Sequence, residues 1–206
     1  DWRNFLVVVV LVLLLAPGLF GITGIGIGLK AGIVSDYDAG VDFGYELPNL
    51  KLSDFEFDNL TYFGGFLKFG SRIIDLELGA EYFWDSKDIS ITGLGTKEFE
   101  TKDFSIGATL KYYFDFPLLK PFIGGGVAMH NFTYKYEGDW AGYSGVTIVI
   151  PDDEAYFGYH LVVGGKLALK FLPFDLFVEG KIGKVNTKPD KTDFTVFAGG
   201  VTFNLP

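Results

Sequence analysis

The sequence predicts an all-β protein: an eight-stranded antiparallel up-and-down transmembrane β-barrel preceded by an N-terminal signal peptide. Three observations lead there. Apolar and polar residues alternate at a period of two through most of the chain. The segments between alternating runs are short and long by turns. The first segment is apolar but shorter than the roughly 20 residues a helix needs to cross a bilayer.

The opening stretch, DWRNFLVVVVLVLLLAPGLFG, has Arg3 near its start, an unbroken apolar run from Phe5 to Leu15, and then Pro17 and Gly18 followed by small residues. That layout is a secretory signal peptide over residues 1–21, with processing expected near Gly18 to Gly21. Residues 22–206 are then the barrel. Within them eight strands are expected, over Ile25 to Val34, Leu60 to Phe69, Ile74 to Trp84, Asp103 to Phe114, Pro121 to Thr133, Ala155 to Leu169, Phe174 to Val185 and Phe194 to Leu205.

Each run justifies itself by its two faces. The first carries Ile25, Ile27, Leu29, Ala31 and Ile33 on one side and Gly26, Gly28, Lys30 and Gly32 on the other. The second sets Phe63, Leu67 and Phe69 against Lys68, though Tyr62 and Phe66 share the Lys68 side. The third opposes Ile74, Leu76, Leu78, Ala80, Tyr82 and Trp84 to Asp75, Glu77, Gly79 and Glu81. The fourth opposes Phe104, Ile106, Ala108, Leu110, Tyr112 and Phe114 to Ser105, Gly107, Thr109 and Lys111. Gly124, Gly126, Ala128 and His130 mark the polar side of the fifth. The sixth sets Phe157, Tyr159, Leu161, Val163, Leu167 and Leu169 against Gly164, Lys166 and Ala168. In FDLFVEGKIG, Phe174, Leu176, Val178 and Ile182 oppose Asp175, Glu179 and Lys181.

Connections GSRI, DFPLL and KFLP are short, whereas Ser35 to Asn59, Asp85 to Lys102 and Tyr134 to Glu154 are long. Short turns at one end and long loops at the other suit a membrane barrel. Tyr82 and Trp84 are expected at the outer boundary, and Tyr112, Phe114, Phe171 and Phe174 at the inner one, as aromatic girdles. A soluble lipocalin-like barrel would turn the apolar face inwards and leave the glycine-rich face on its outer wall. A solvated wall has no need of so many glycines, whereas a crowded eight-stranded lumen does.

Composition fits this reading. The chain of 206 residues has 28 Gly, 22 Phe and 11 Tyr, with 21% charged residues and a mean hydropathy of +0.28. A net charge of −9 leaves no basic patch for nucleic acid. The absence of cysteine removes disulfide frameworks, thiol chemistry and cysteine-based zinc sites.

Charges inside a barrel need partners. The expected lumen network comprises Lys30, Lys68, Asp75, Glu77, Glu81, Lys111, Lys166, Glu179 and Lys181. Counting along the short turns places Lys68 near Asp75 and Lys111 near Glu77. Glu81 and Glu179 are then the candidates for Lys30, Lys166 and Lys181. Such a network would plug the barrel.

The runs GIGIGLKAGIV, KPFIGGGVAMHNF and FDLFVEGKIG and the closing FTVFAGGVTFNLP, preceded by a signal peptide, resemble the small outer-membrane β-barrel proteins of the OmpA-barrel, OmpX and OmpW type. The resemblance spans nearly the whole mature chain. It implies residence in the bacterial outer membrane, insertion by the barrel assembly machinery, contact with outer-membrane lipid and lipopolysaccharide, and a monomeric state. The closing strand runs past Phe203 to Asn204, Leu205 and Pro206, where the family usually ends on an aromatic residue. Barrel lipid A deacylases use His, Ser and Glu, but Phe132 stands where the Ser would follow His130. A barrel palmitoyltransferase would need His, Asp and Ser in its outer loops; Ser144 and acids are available there, but neither His falls in such a loop.

His130 and His160 are both assigned to the lumen, where they form a candidate polar pair able to approach across adjacent strands. A metal or proton-linked site there lacks an evident carboxylate shell, so no metal or cofactor is expected. Gly26, Gly28 and Ala31 have the G-x-G-x-x-A spacing, but no helix follows to make it a nucleotide-binding turn. The first loop is acidic, and Asp36, Asp38 and Asp42 form a candidate cation-binding run, with Leu47 where a calcium loop would need its last ligand.

The function expected is a non-enzymatic outer-membrane barrel with a structural wall, a plugged polar lumen and long acidic outer loops that contact surface lipids, ligands or host molecules. A narrow channel for small or hydrophobic solutes is the alternative. A lipid A-modifying enzyme and a soluble lipocalin-like binder rank below it.

Overall fold

The computed structural model describes residues 24–38, 60–71, 73–91, 95–140, 143–151, 155–168, 172–188 and 190–205. The signal segment, Asp42, Phe171, Leu169 and Pro206 lie outside them. Nine strands run in chain order: β1 (Gly24–Asp38), β2 (Leu60–Gly70), β3 (Ile74–Ile91), β4 (Gly95–Tyr113), β5 (Leu119–Trp140), β6 (Tyr143–Pro151), β7 (Tyr156–Ala168), β8 (Phe174–Val185) and β9 (Thr192–Leu205). Their order is β4-β3-β2-β1-β9-β8-β7-β5-β6, and a further β4–β5 pairing closes the ring. Every described pairing is antiparallel. Eight strands therefore make the barrel, and β6 stands outside it. Closure lets the wall satisfy its backbone groups without an edge, the condition for crossing lipid. Among the described residues no helix is long and apolar enough to cross a membrane.

The apolar face points outwards. Leu161, Val163, Val178 and Ile182 are 69%, 62%, 65% and 67% exposed, in a band too large and continuous for a wall in water. Glu179 and Lys181 on the opposite face of β8 are buried. That orientation overturns the lipocalin-like alternative. Aromatic rings neighbour one another towards the strand ends: Tyr82 and Trp84 lie 5.6 Å apart, Tyr112 and Phe114 5.4 Å, and Phe174 and Phe203 5.9 Å.

The outer half departs from expectation in three places. β1 continues through a register shift between Val34 and Asp36 as far as Asp38, so the first loop starts later. Asp85 to Lys102 is no loop, because β3 and β4 stay paired up to Ile91 and Gly95. The third loop contains the far end of β5 and the whole of β6, paired from Thr133–Pro151 to Trp140–Tyr143. The sequence VTIVI in β6 is β-branched, which favours a strand. The result is a sheet of β3, β4, β5 and β6 that rises beyond the barrel. From Trp84 to Ile91 it extends about 23 Å along the strand, at roughly 3.3 Å per residue.

Candidate functional site

The lumen is filled by two kinds of side chain. Aromatic rings are the first: Tyr62, Phe66, Phe83, Phe122, Phe177 and Phe194 are all buried there. Four of them sit where directly paired neighbours are glycines. Phe66 faces Gly28, Phe122 faces Gly164, Phe177 faces Gly200 and Phe194 faces Gly183. A Cβ on those glycines would fall 2.1 to 2.5 Å from the opposing ring. His160 lies over Gly126 in the same way, with a Cβ contact of 2.6 Å. Inward glycine is thus the space into which a ring from the next strand lies down.

The second kind is charged. Glu77, Lys111, Glu179, Lys30, Glu81 and Lys181 form a chain of alternating sign across the barrel. Lys111 Nζ is 2.8 Å from Glu77 and 2.7 Å from Glu179. Lys30 Nζ is 2.9 Å from Glu179 and 2.8 Å from Glu81. Lys181 donates to the other oxygen of Glu81. The chain joins β3, β4, β8 and β1, so it braces walls that the backbone ladder does not connect directly. Lys111 also sits 4.7 Å from the centre of the Phe122 ring and 5.3 Å from that of Phe177, an arrangement that compensates a buried ammonium with π-faces. Beside this chain is a cavity of about 20 Å³, lined by Lys30, Glu77, Glu81, Ser105, Thr109 and His160. That volume has room for about one water molecule.

A second polar tier lies at the short-turn end. Lys166 stands 3.6 Å from Asp75, 4.0 Å from Asp175 and 4.0 Å from the centre of the Tyr113 ring. Lys68 donates to Asn204 Oδ1 at 2.6 Å, and the Asn204 amide donates to Asp175 at 3.1 Å. Two expected pairings change here. Lys68 meets Asn204 in place of Asp75, and Lys166 meets Asp75 and Asp175 in place of Glu81 or Glu179. The cause is closure: β9 and β8 bring Asn204 and Asp175 into the inner mouth, and counting along single hairpins does not show it.

The two histidines do not form a pair. His130 is opposite Tyr156 and His160 opposite Gly126, which sets them about 13 Å apart along the strands at roughly 3.3 Å per residue. Each has its own partner. His130 Nδ1 is 2.7 Å from Asp103 Oδ2, and His160 Nε2 is 2.8 Å from Thr109 Oγ1. Asp103 supplies the carboxylate that the sequence reading did not find. It shares inward parity with Ser105 and Gly107, and that parity was the available signal. His130 also stacks on Phe132, and Phe132 on Tyr134, in a column along β5. Among the described residues no group of three or more His, Cys, Asp or Glu is arranged to hold a metal ion. Asp36 and Asp38 belong to β1, on its outward face, on either side of the buried Tyr37.

No protein-family model matches the sequence, and no curated protein matches it. The fold does match solved outer-membrane barrels. Neisserial surface protein A aligns over 88% of this chain and 96% of its own, with 14% identity and a TM-score of 0.59. A major outer membrane protein from Thermus thermophilus aligns over 88% and 98%, with 10% identity and a TM-score of 0.52. The outer membrane protease OmpT from Escherichia coli aligns over 90% and 98%, with 9% identity and a TM-score of 0.50. At these identities the likeness is one of fold.

Proposed function

We propose that this protein is a non-enzymatic barrel of the bacterial outer membrane, with a structural wall, a lumen plugged by its own side chains, and an outer surface that makes the functional contacts. The observation that carries this reading is the six-member charge chain from Glu77 to Lys181, laid across the lumen among buried rings. Moving any member aside to open a water path would strand a buried charge, which costs several kcal/mol. Function then falls to what the barrel holds outside: the rising sheet of β3 to β6 and the acidic first loop. Those are the parts expected to meet surface lipids, lipopolysaccharide or host molecules. Export by the signal segment and insertion by the barrel assembly machinery complete the proposal.

Planar-bilayer recording of the refolded protein tests it. The expected result is a bilayer without discrete conductance steps, from a sample that shows the heat-dependent gel shift of a closed barrel. Steady unit conductance from the same sample would overturn the plug and favour the narrow channel. Lipid A of unchanged mass in cells expressing the protein is the matching expectation against a lipid-modifying enzyme.

A further inference from the structure

The lumen's charges balance at two of its three levels. In the chain across the middle, Glu77, Glu81 and Glu179 meet Lys30, Lys111 and Lys181. At the short-turn end Asp75 and Asp175 share the tier with Lys68 and Lys166. Each of those five carboxylates has an ammonium within 4.0 Å. The third level lies towards the long-loop end, and its carboxylate is Asp103, only 2% exposed. Its one ionic partner among the described residues is His130, a side chain that is charged only when it carries a second proton.

Asp103 is also half used. Its Oδ2 accepts from His130 Nδ1, while its Oδ1 is buried with no hydrogen-bond partner among the described residues. Thr101 Oγ1, two residues along the same inward face and on a side chain 1% exposed, is in the same state. Two more hydroxyls come to this place from other strands. Tyr134 is the directly paired neighbour of Thr101 on β5, and the Tyr37 hydroxyl of β1 lies beside both. Tyr37 reaches inwards because the register shift between Val34 and Asp36 exchanges the faces of β1, so that Val34 and Tyr37 are both buried although an odd number of positions separates them. Re-aiming a side chain is what such an irregularity does in a strand. Asp85, opposite Thr101 on β3, stands at the half-buried rim of the group with Lys87 acting on it.

Two needs therefore meet at one place: a missing positive charge and buried oxygens that lack a partner. Water would pair the oxygens but bring no charge. A second proton on His130 would bring the charge, but it would sit on Nε2, which lies over Gly158 on β7, on the side away from β4, and would pair neither oxygen. A divalent ion would exceed the single carboxylate by one charge. A monovalent ion answers both needs, and carboxylate and hydroxyl oxygens are the donors that a hard cation takes. We propose that Asp103, Thr101, Tyr37 and Tyr134 hold one alkali cation, Na⁺ or K⁺, at the outer end of the lumen. The site belongs to the packing inside the barrel and does not depend on what the loops contact.

Urea unfolding of the refolded full chain in detergent micelles tests it, in NaCl, KCl or choline chloride at equal ionic strength. The midpoint should be higher in an alkali salt than in choline chloride and should climb with the logarithm of its concentration, as for a ligand bound by the folded state alone. Asp103→Asn should abolish that dependence. Thr101→Val keeps the side-chain shape and removes only the hydroxyl, so it should retain the heat-dependent gel shift and need several-fold more alkali cation for the same gain. It decides the matter even where the Asn variant forms no barrel. Equal midpoints in all three salts, or a dependence unmoved by Thr101→Val, would overturn the inference. So would ¹⁵N spectra showing both ring nitrogens of His130 protonated at neutral pH, because a proton would then supply the missing charge.

Discussion

Phe194 lies across Gly183, its directly paired neighbour on β8, so closely that a Cβ on the glycine would stand 2.1 Å from the tip of the ring. The ring has nowhere to retreat, because it also packs against Phe83 at 5.3 Å and His130 at 5.8 Å. Gly183→Ala should therefore destabilise the barrel by about 1–3 kcal/mol through overpacking. Gly65→Ala, on the outward face with its nearest contact at 3.5 Å, should change stability by less than about 0.5 kcal/mol. Urea unfolding in detergent micelles measures both, and equal effects would contradict the ring-over-glycine account.

Glu179 gives one carboxylate oxygen to Lys30 and the other to Lys111. Replacing it with Gln keeps the shape and removes the charge that both lysines share. The expected loss is about 3 kcal/mol, typical of an ion left without its buried partner. The same urea titration reads it, and an unchanged midpoint would mean that Glu77 and Glu81 suffice.

Asp103 fixes His130 by accepting at Nδ1, which places the imidazole proton on that nitrogen when the ring is neutral. Asp103→Asn should change the tautomer balance, seen as a shift of the His130 ring nitrogens in ¹⁵N spectra, with a stability loss of about 1–3 kcal/mol. His160, bonded to Thr109, should keep its spectrum.

How much of this was legible in the sequence depends on how far apart the interacting residues lie along the chain. A period of two assigns each side chain to a face from local information alone, so Lys30, Glu77, Lys111, Glu179 and Lys181 could be placed inwards by counting. Partner choice is different: counting left both Glu81 and Glu179 open for Lys30, which meets both because the closed ring brings β1, β3 and β8 together. The Lys68–Asn204 contact was out of reach for the same reason. The aromatic filling of the lumen was available in the parity of Phe122, Phe177 and Phe194, but the glycines beside them draw attention to small residues and away from the rings that cover them. Beyond the barrel, β6 was missed because a long connection between two strong strands gives no sign that it folds back on one of them.

Trp84, beside Tyr82 and 39% exposed, should sit at the lipid boundary at the foot of the rising sheet. In a variant with Trp2 and Trp140 changed to Phe, its fluorescence should be quenched more by lipids brominated near the carbonyls than by lipids brominated near the chain ends. The reverse order would place the boundary higher on β3.

The pairing of β1 with β9 has a consequence in time. The first strand of the wall is held on one side by β9, from Ile25–Leu205 to Asp38–Asp193, so the ring cannot shut until β9 has been made. Every earlier state has two open edges, and in lipid each edge is a row of backbone groups with no partner. The chain must therefore travel unfinished and close in one late step, and a product cut short before Thr192 would have no stable halfway form to settle into.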